Sequence, residues 1–144
     1  MSAIKFAEIF DGLAEAYGVF KIEKTAANGK NTGKAAILRE PRTMDLWEGH
    51  LSGKGTAIGI IPINEQNMCK WGCIDVDQYP LDHKALVERI RKLKLPLVVC
   101  RSKSGGAHCF LFTTDWVEAK DLQTTLQSVS AALGYGGSEI FPKQ

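Results

Sequence analysis

No apolar run in this 144-residue chain approaches the roughly 18–20 residues that a membrane-crossing helix needs. The opening stretch, MSAIKFAEIFDGLAEAYG, sets acids among its apolar residues and lacks the hydrophobic core of a secretory signal. A cytoplasmic setting with no membrane partner is therefore expected. Charge of one sign is also lacking: 18 Lys and Arg face 16 Asp and Glu, a net of +2. That is far from the excess of a nucleic-acid coat protein, yet it excludes no nucleic-acid enzyme. Repeats and low-complexity segments are absent, and so is the GxxxxGK[ST] spacing of a P-loop. Cysteine is sparse, at four residues, and without a secretory context it does not imply disulfides. Cys73, Cys100 and Cys109 lie in apolar strand-like runs, where a thiol behaves as a small buried hydrophobe. A zinc site from Cys69, Cys73, Cys109 and His108 matches no zinc-knuckle spacing, and neighbouring residues on a strand face opposite ways.

What the chain does have is the composition of an ordinary globular protein, 44% hydrophobic and 24% charged, with room for one domain with a real core. Ile4, Ala7, Ile9, Leu13 and Ala16 step at roughly helical spacing, predicting a helix over residues 3–17 stopped by Gly18. A short strand is expected at 19–23. Residues 25–34, with NGKNTGK, read as a loop whose glycine and lysine content hints at phosphate binding. A helix capped by Thr43 should run to Leu51, and the β-branched run 56–61 should be a strand ended by Pro62. Basic residues gather at 21–42, at 84–94 and at Arg101 and Lys103, a pattern typical of solvated faces.

From residue 70 the order is clearer. Strands are predicted at 70–77, 97–101, 107–113 and from 138 to 141, with helices at 83–94 and 117–133. The resulting β-α-β-β-α-β order is that of a ferredoxin-like, or RNA-recognition-motif-like, unit. Its crossovers place both helices on one face of an antiparallel sheet. The fold class is thus α/β (α+β), with an N-terminal helical and strand extension at 1–69 and the ferredoxin-like unit at 70–144.

The chemistry lies on the other face. In CIDVD, Ile74 and Val76 alternate with Asp75 and Asp77, so two carboxylates point the same way with Cβ atoms about 6–7 Å apart. Such a pair repels unless a cation lies between, and hard oxygen ligands favour Mg²⁺ or Mn²⁺. The next segment, RSKSGGAH at 101–108, can turn successive backbone N–H groups toward an anion. Arg101, Ser102, Lys103 and Ser104 add donors, Gly105 and Gly106 give the backbone access, and His108 opens the next strand. In SEIFPKQ, Glu139 starts the fourth strand, which lies beside the first in a ferredoxin-like sheet. It becomes a third candidate ligand, with Lys143 just beyond.

Together these segments resemble the archaeo-eukaryotic primase superfamily, which carries an acidic D-x-D/E, a small-residue motif ending in His, and a third acid on a later strand. The likeness is greatest to the primase-polymerase domains of TOTE-type conflict systems and of phage and plasmid replication proteins. There, stretches similar to IGIIPI, WGCIDVD, RSKSGGAH and EIFPKQ follow in this order, covering about residues 39–144. Gly106 stands where the family often has Ser, and Glu139 where the third acid is usually Asp. The resemblance implies template-dependent nucleotidyl transfer in DNA replication, with two Mg²⁺ or Mn²⁺ ions on Asp75, Asp77 and Glu139. Asp75, Asp77, His108 and Glu139 would be catalytic. Residues 101–106, His108 and Lys143 would hold the incoming nucleoside triphosphate. Expected partners are nucleoside triphosphates, a single-stranded DNA template with primer, and a fused or associated helicase, in a bacterial, phage or plasmid setting. Trp47, Trp71 and the basic stretch 30–42 are candidates for template contact. Relatives continue beyond the third motif, so the chain is expected to be a fragment of a larger protein. Two alternatives remain: a module that binds nucleotide or single-stranded DNA with little catalysis, and a metal-dependent nuclease sharing only the carboxylates.

Overall fold

The first helix is shorter than its apolar spacing predicts. In the computed structural model, which describes residues 2–25, 27 and 31–143, α1 spans only Ala3–Ile9, with Ser2 accepting from the Lys5 amide at its start. Tertiary contacts end it. A Cβ on Gly12 would lie 2.1 Å from the carbonyl oxygen of Ile61, and the Leu13 amide donates to that same oxygen at 2.9 Å. Arg42 binds the segment as well, with Nε donating to the Leu13 carbonyl and Nη2 pairing with Asp11 at 3.2 Å. A stretch held this way cannot continue as helix.

The chain divides into two compact units, Met1–Asn64 and Glu65–Gln144, where 69/70 was the expected boundary. In the first, β1 (Tyr17–Thr25) pairs antiparallel with β2 (Asn31–Leu38) on one side and β3 (Ile58–Gly59) on the other. The strand β2 overturns the expected loop over 25–34. Asn31–Lys34 complete backbone ladders with β1, which their Gly and Lys content concealed. Ala26 and Asn28–Lys30 of that expected loop lie outside the described residues, as does Lys30 as a template contact. The helix α2 (Met44–Ser52) starts after Thr43 as expected and ends at Gly53, whose φ of 68° is the left-handed cap that glycine adopts freely. Tyr17, Trp47 and Ile58 form the core of this unit, with Phe6, Phe10 and Val19 packed around them.

The second unit is a four-stranded antiparallel sheet ordered β5-β6-β4-β7, made of β4 (Met68–Val76), β5 (Val98–Arg101), β6 (Ala107–Glu118) and β7 (Glu139–Phe141). This is the ferredoxin-like order anticipated above, with first and third strands central and the fourth beside the first. Between them run α3 (His83–Lys92), capped by Asp82 on the Ala85 amide, and α4 (Ala119–Leu133), closed by Gly134. Ile74 and Val76 of β4 and Ala107, Cys109 and Leu111 of β6 are buried with Leu122, Leu126 and Leu133 of α4. Gly72 permits the closest approach. A Cβ there would stand 2.5 Å from Leu126 Cδ1 and 2.7 Å from the Phe141 carbonyl.

Candidate active site

Alternation along β4 sends Ile74 and Val76 into the core and leaves Asp75 on the opposite face. Register then builds the site. Asp75 lies directly across from Glu139 on β7 and from His108 on β6, and His108 lies across from Cys100 on β5. Directly opposed residues share a face. Glu139, Asp75, His108 and Cys100 therefore form one transverse row over all four strands. The next row holds Phe141, Cys73 and Phe110, so a polar row is backed by an apolar one.

Asp75 is the most constrained group. Its Oδ1 is buried and has no hydrogen-bond partner, although His108 Nε2 stands 3.4 Å away, in ion-pair range but outside hydrogen-bond geometry. Burial holds its pKa above the usual carboxylate range, His108 opposes the shift, and the charges of Asp77 and Glu139 add to it. Asp77 stands just past the end of β4, exposed, where Tyr79 Oη lies 2.8 Å from its Oδ1. Glu139 is ion-paired with Lys143, whose Nζ also sits 5.1 Å from the Phe141 ring centre. A hollow of about 450 Å³ opens beside the three acids, lined further by Gln78, Tyr135 and Ser138. A smaller one of about 260 Å³ reaches Asp75 from the apolar row, between Trp71, His108, Phe110 and Phe141.

The loop at 102–106 is tied to the end of β4. The Ser102 amide donates to the Gly106 carbonyl at 2.9 Å, and a Cβ on Gly106 would lie 2.3 Å from the Val76 carbonyl oxygen. At Gly105 the φ of 99° is one that side chains rarely adopt. His83 Nε2 donates to the Gly106 carbonyl at 2.9 Å, and Tyr79 Oη meets Ser104 Oγ at 2.7 Å. Neither Tyr79 nor His83 was singled out from the sequence. His83 opened the predicted helix and Tyr79 lay outside every predicted element, and only the proximity of the loop gives them a role. Lys103 is exposed. Arg101 pairs with buried Ala107, which puts it on the face opposite His108.

Other expectations change. Trp47 is a core residue of the first unit, 3% exposed and edge-on to Phe6, so it is not available to a template. Trp71 is buried too, and the Arg42 side chain is occupied by Asp11 and by backbone carbonyls. Cys100 is exposed rather than buried, because β5 is an edge strand. Cys73 and Cys109 are buried as expected, Cys69 is buried as well, and burial pushes the thiols of Cys69, Cys73 and Cys109 up to about 11, 12 and 11, which disfavours the thiolate a zinc site needs.

The family model of the archaeo-eukaryotic primase domain of the TOTE conflict system matches residues 16–135. The chain belongs to this family. A search of curated proteins returns no match. The match to the archaeo-eukaryotic primase domain takes in Asp75, Asp77, the 101–106 loop and His108 and stops short of Glu139. Glu139, beyond that match, joins the site through register, as the residue paired with Asp75.

Proposed function

We propose that the chain is a template-dependent nucleotidyltransferase, a DNA primase-polymerase that joins nucleotides using two Mg²⁺ or Mn²⁺ ions. The observation that carries this reading is Asp75: a buried carboxylate oxygen with no hydrogen bond, in one row with Glu139 and His108 and one alternation from Asp77. Burying such an oxygen without a partner is costly, and a cation removes that cost. Among the described residues no three His, Cys, Asp or Glu side chains converge as a ready metal cage. That fits an ion held by one or two carboxylates and completed by water and substrate phosphates, the usual arrangement for Mg²⁺. Bound there, such ions would polarise the attacking hydroxyl and neutralise the leaving pyrophosphate.

In this reading Asp75 and Asp77 are the principal ligands, with Glu139 joining once it exchanges Lys143 for a cation. His108 donates to a phosphate oxygen from the row it shares with Asp75. The 102–106 loop sets Ser102, Ser104 and the Gly106 backbone beside the triphosphate, with Lys103 and Lys143 supplying positive charge, while Arg101, on the face opposite His108, takes no part. The 3′-hydroxyl of a primer attacks the α-phosphate, forming the new P–O bond as the bond to pyrophosphate breaks. A single-stranded DNA template, an associated helicase and a cytoplasmic location accompany this reading. Among the described residues no helix is long and apolar enough to cross a membrane.

Extension of a labelled primer on a single-stranded template, with Mg²⁺ or Mn²⁺, tests it. Extension lost in Asp75→Ala with Asp77→Ala is the expected result. The Lys143 pairing of Glu139 favours a second reading, a module that binds nucleotide without extending a primer. Nucleotide binding with no extension would establish that second reading, and degradation of the primer would point to a nuclease.

A further inference from the structure

The Tyr79 side chain is half exposed, yet its hydroxyl touches two parts of the site at once: Asp77 Oδ1 at 2.8 Å and Ser104 Oγ at 2.7 Å. Ser104 Oγ in turn lies 3.1 Å from Ser102 Oγ. A phenol has one proton, and an ionised carboxylate only accepts. Tyr79 therefore donates to Asp77, Ser104 donates to Tyr79, and Ser102 donates to Ser104. The chain of hydroxyls has a single polarity, fixed at its acidic end. From this we infer that Tyr79 is a positioning residue that makes Asp77 and the 102–106 loop one unit. The inference rests on the nucleotidyl-transfer reading of this site. By engaging Oδ1, Tyr79 sets the Asp77 rotamer and leaves its second oxygen for a cation. By holding Ser104, it fixes the loop, and Lys103 with it, in place relative to Asp77. His83 holds the loop backbone separately through the Gly106 carbonyl, so the loop stays anchored to the fold without the tyrosine hydroxyl.

The test is Tyr79→Phe in the full chain, which keeps the ring and removes only the hydroxyl. Three measurements are made: amide hydrogen exchange across 102–106, the Kd of a non-hydrolysable deoxynucleoside triphosphate with Mn²⁺, and primer-extension kinetics. Loss of one partly exposed hydrogen-bond strap should speed loop exchange and weaken nucleotide binding about fivefold to tenfold. KM should rise while kcat stays within about twofold, the signature of lost ground-state positioning. Ser104→Ala should show at least the same defect, and adding Tyr79→Phe to it should worsen nothing further, because the link is already gone. Unchanged loop exchange and affinity would overturn the inference, as would effects of the two substitutions that simply add. The two readings fail separately. If the unaltered protein binds no nucleotide, the polymerase reading falls, while the exchange measurement still decides whether Tyr79 holds the loop.

Discussion

Asp75 shows how one residue carries both a stability penalty and a function. Burial and the charges of Asp77 and Glu139 raise its pKa, against the pull of His108. The folded protein thus holds this proton to higher pH than the unfolded chain does. Stability from this group is present below the unfolded carboxylate value of about 3.9 and is lost as pH rises through the raised folded value. Asp75→Asn should therefore have the higher Tm at neutral pH, with the gap closing toward about pH 4; thermal melts across that range check it. Added Mn²⁺ should raise the Tm of the unaltered protein and leave that of Asp75→Asn nearly unmoved. A variant that gains as much from Mn²⁺ would remove Asp75 from the metal site. Asp75 was legible in the sequence because strand alternation fixes its face. Tyr79 was not, because its partner Ser104 is 25 residues away and only folding brings them together.

At the scale of elements, the close approaches at two glycines join the site to the sheet. Gly106 lets the loop lie against the end of β4, where an added Cβ would meet the backbone oxygen of Val76. Gly106→Ala should displace the loop and weaken nucleotide affinity more than stability, which a binding titration beside a denaturant melt separates. Gly72→Ala acts in the core, where the new methyl would strike Leu126 and the Phe141 carbonyl. Overpacking of this kind costs about 1–3 kcal/mol, so urea unfolding should show the loss without a specific nucleotide defect. The regular elements of the second unit were legible from hydrophobic periodicity. The errors arose where tertiary contacts override local preference: α1 ends early because its continuation is bound by Ile61 and Arg42, and β2 is a strand because β1 pairs with it.

For the molecule as a whole, a net charge of +2 bears on the proposed binding of single-stranded DNA. Few phosphate contacts mean little counterion release. Single-stranded DNA affinity should fall with salt at a log–log slope of about −1.5 to −3, from two to four contacts at about −0.7 each. Fluorescence anisotropy at several salt concentrations measures it, and a much steeper slope would reveal a broad basic footprint. The sequence by itself determined the order of strands and helices in the second unit, the face on which Asp75 lies, and the three segments that carry the family likeness. Alternation and periodicity are local properties, readable a few residues at a time. The tertiary structure decided which residues meet. Register across β7, β4 and β6 set Glu139 and His108 beside Asp75, folding tied Tyr79 and His83 to the glycine loop, and burial withdrew Trp47 and Trp71 from any template. Those outcomes depend on contacts between residues far apart in the chain, which no local pattern encodes.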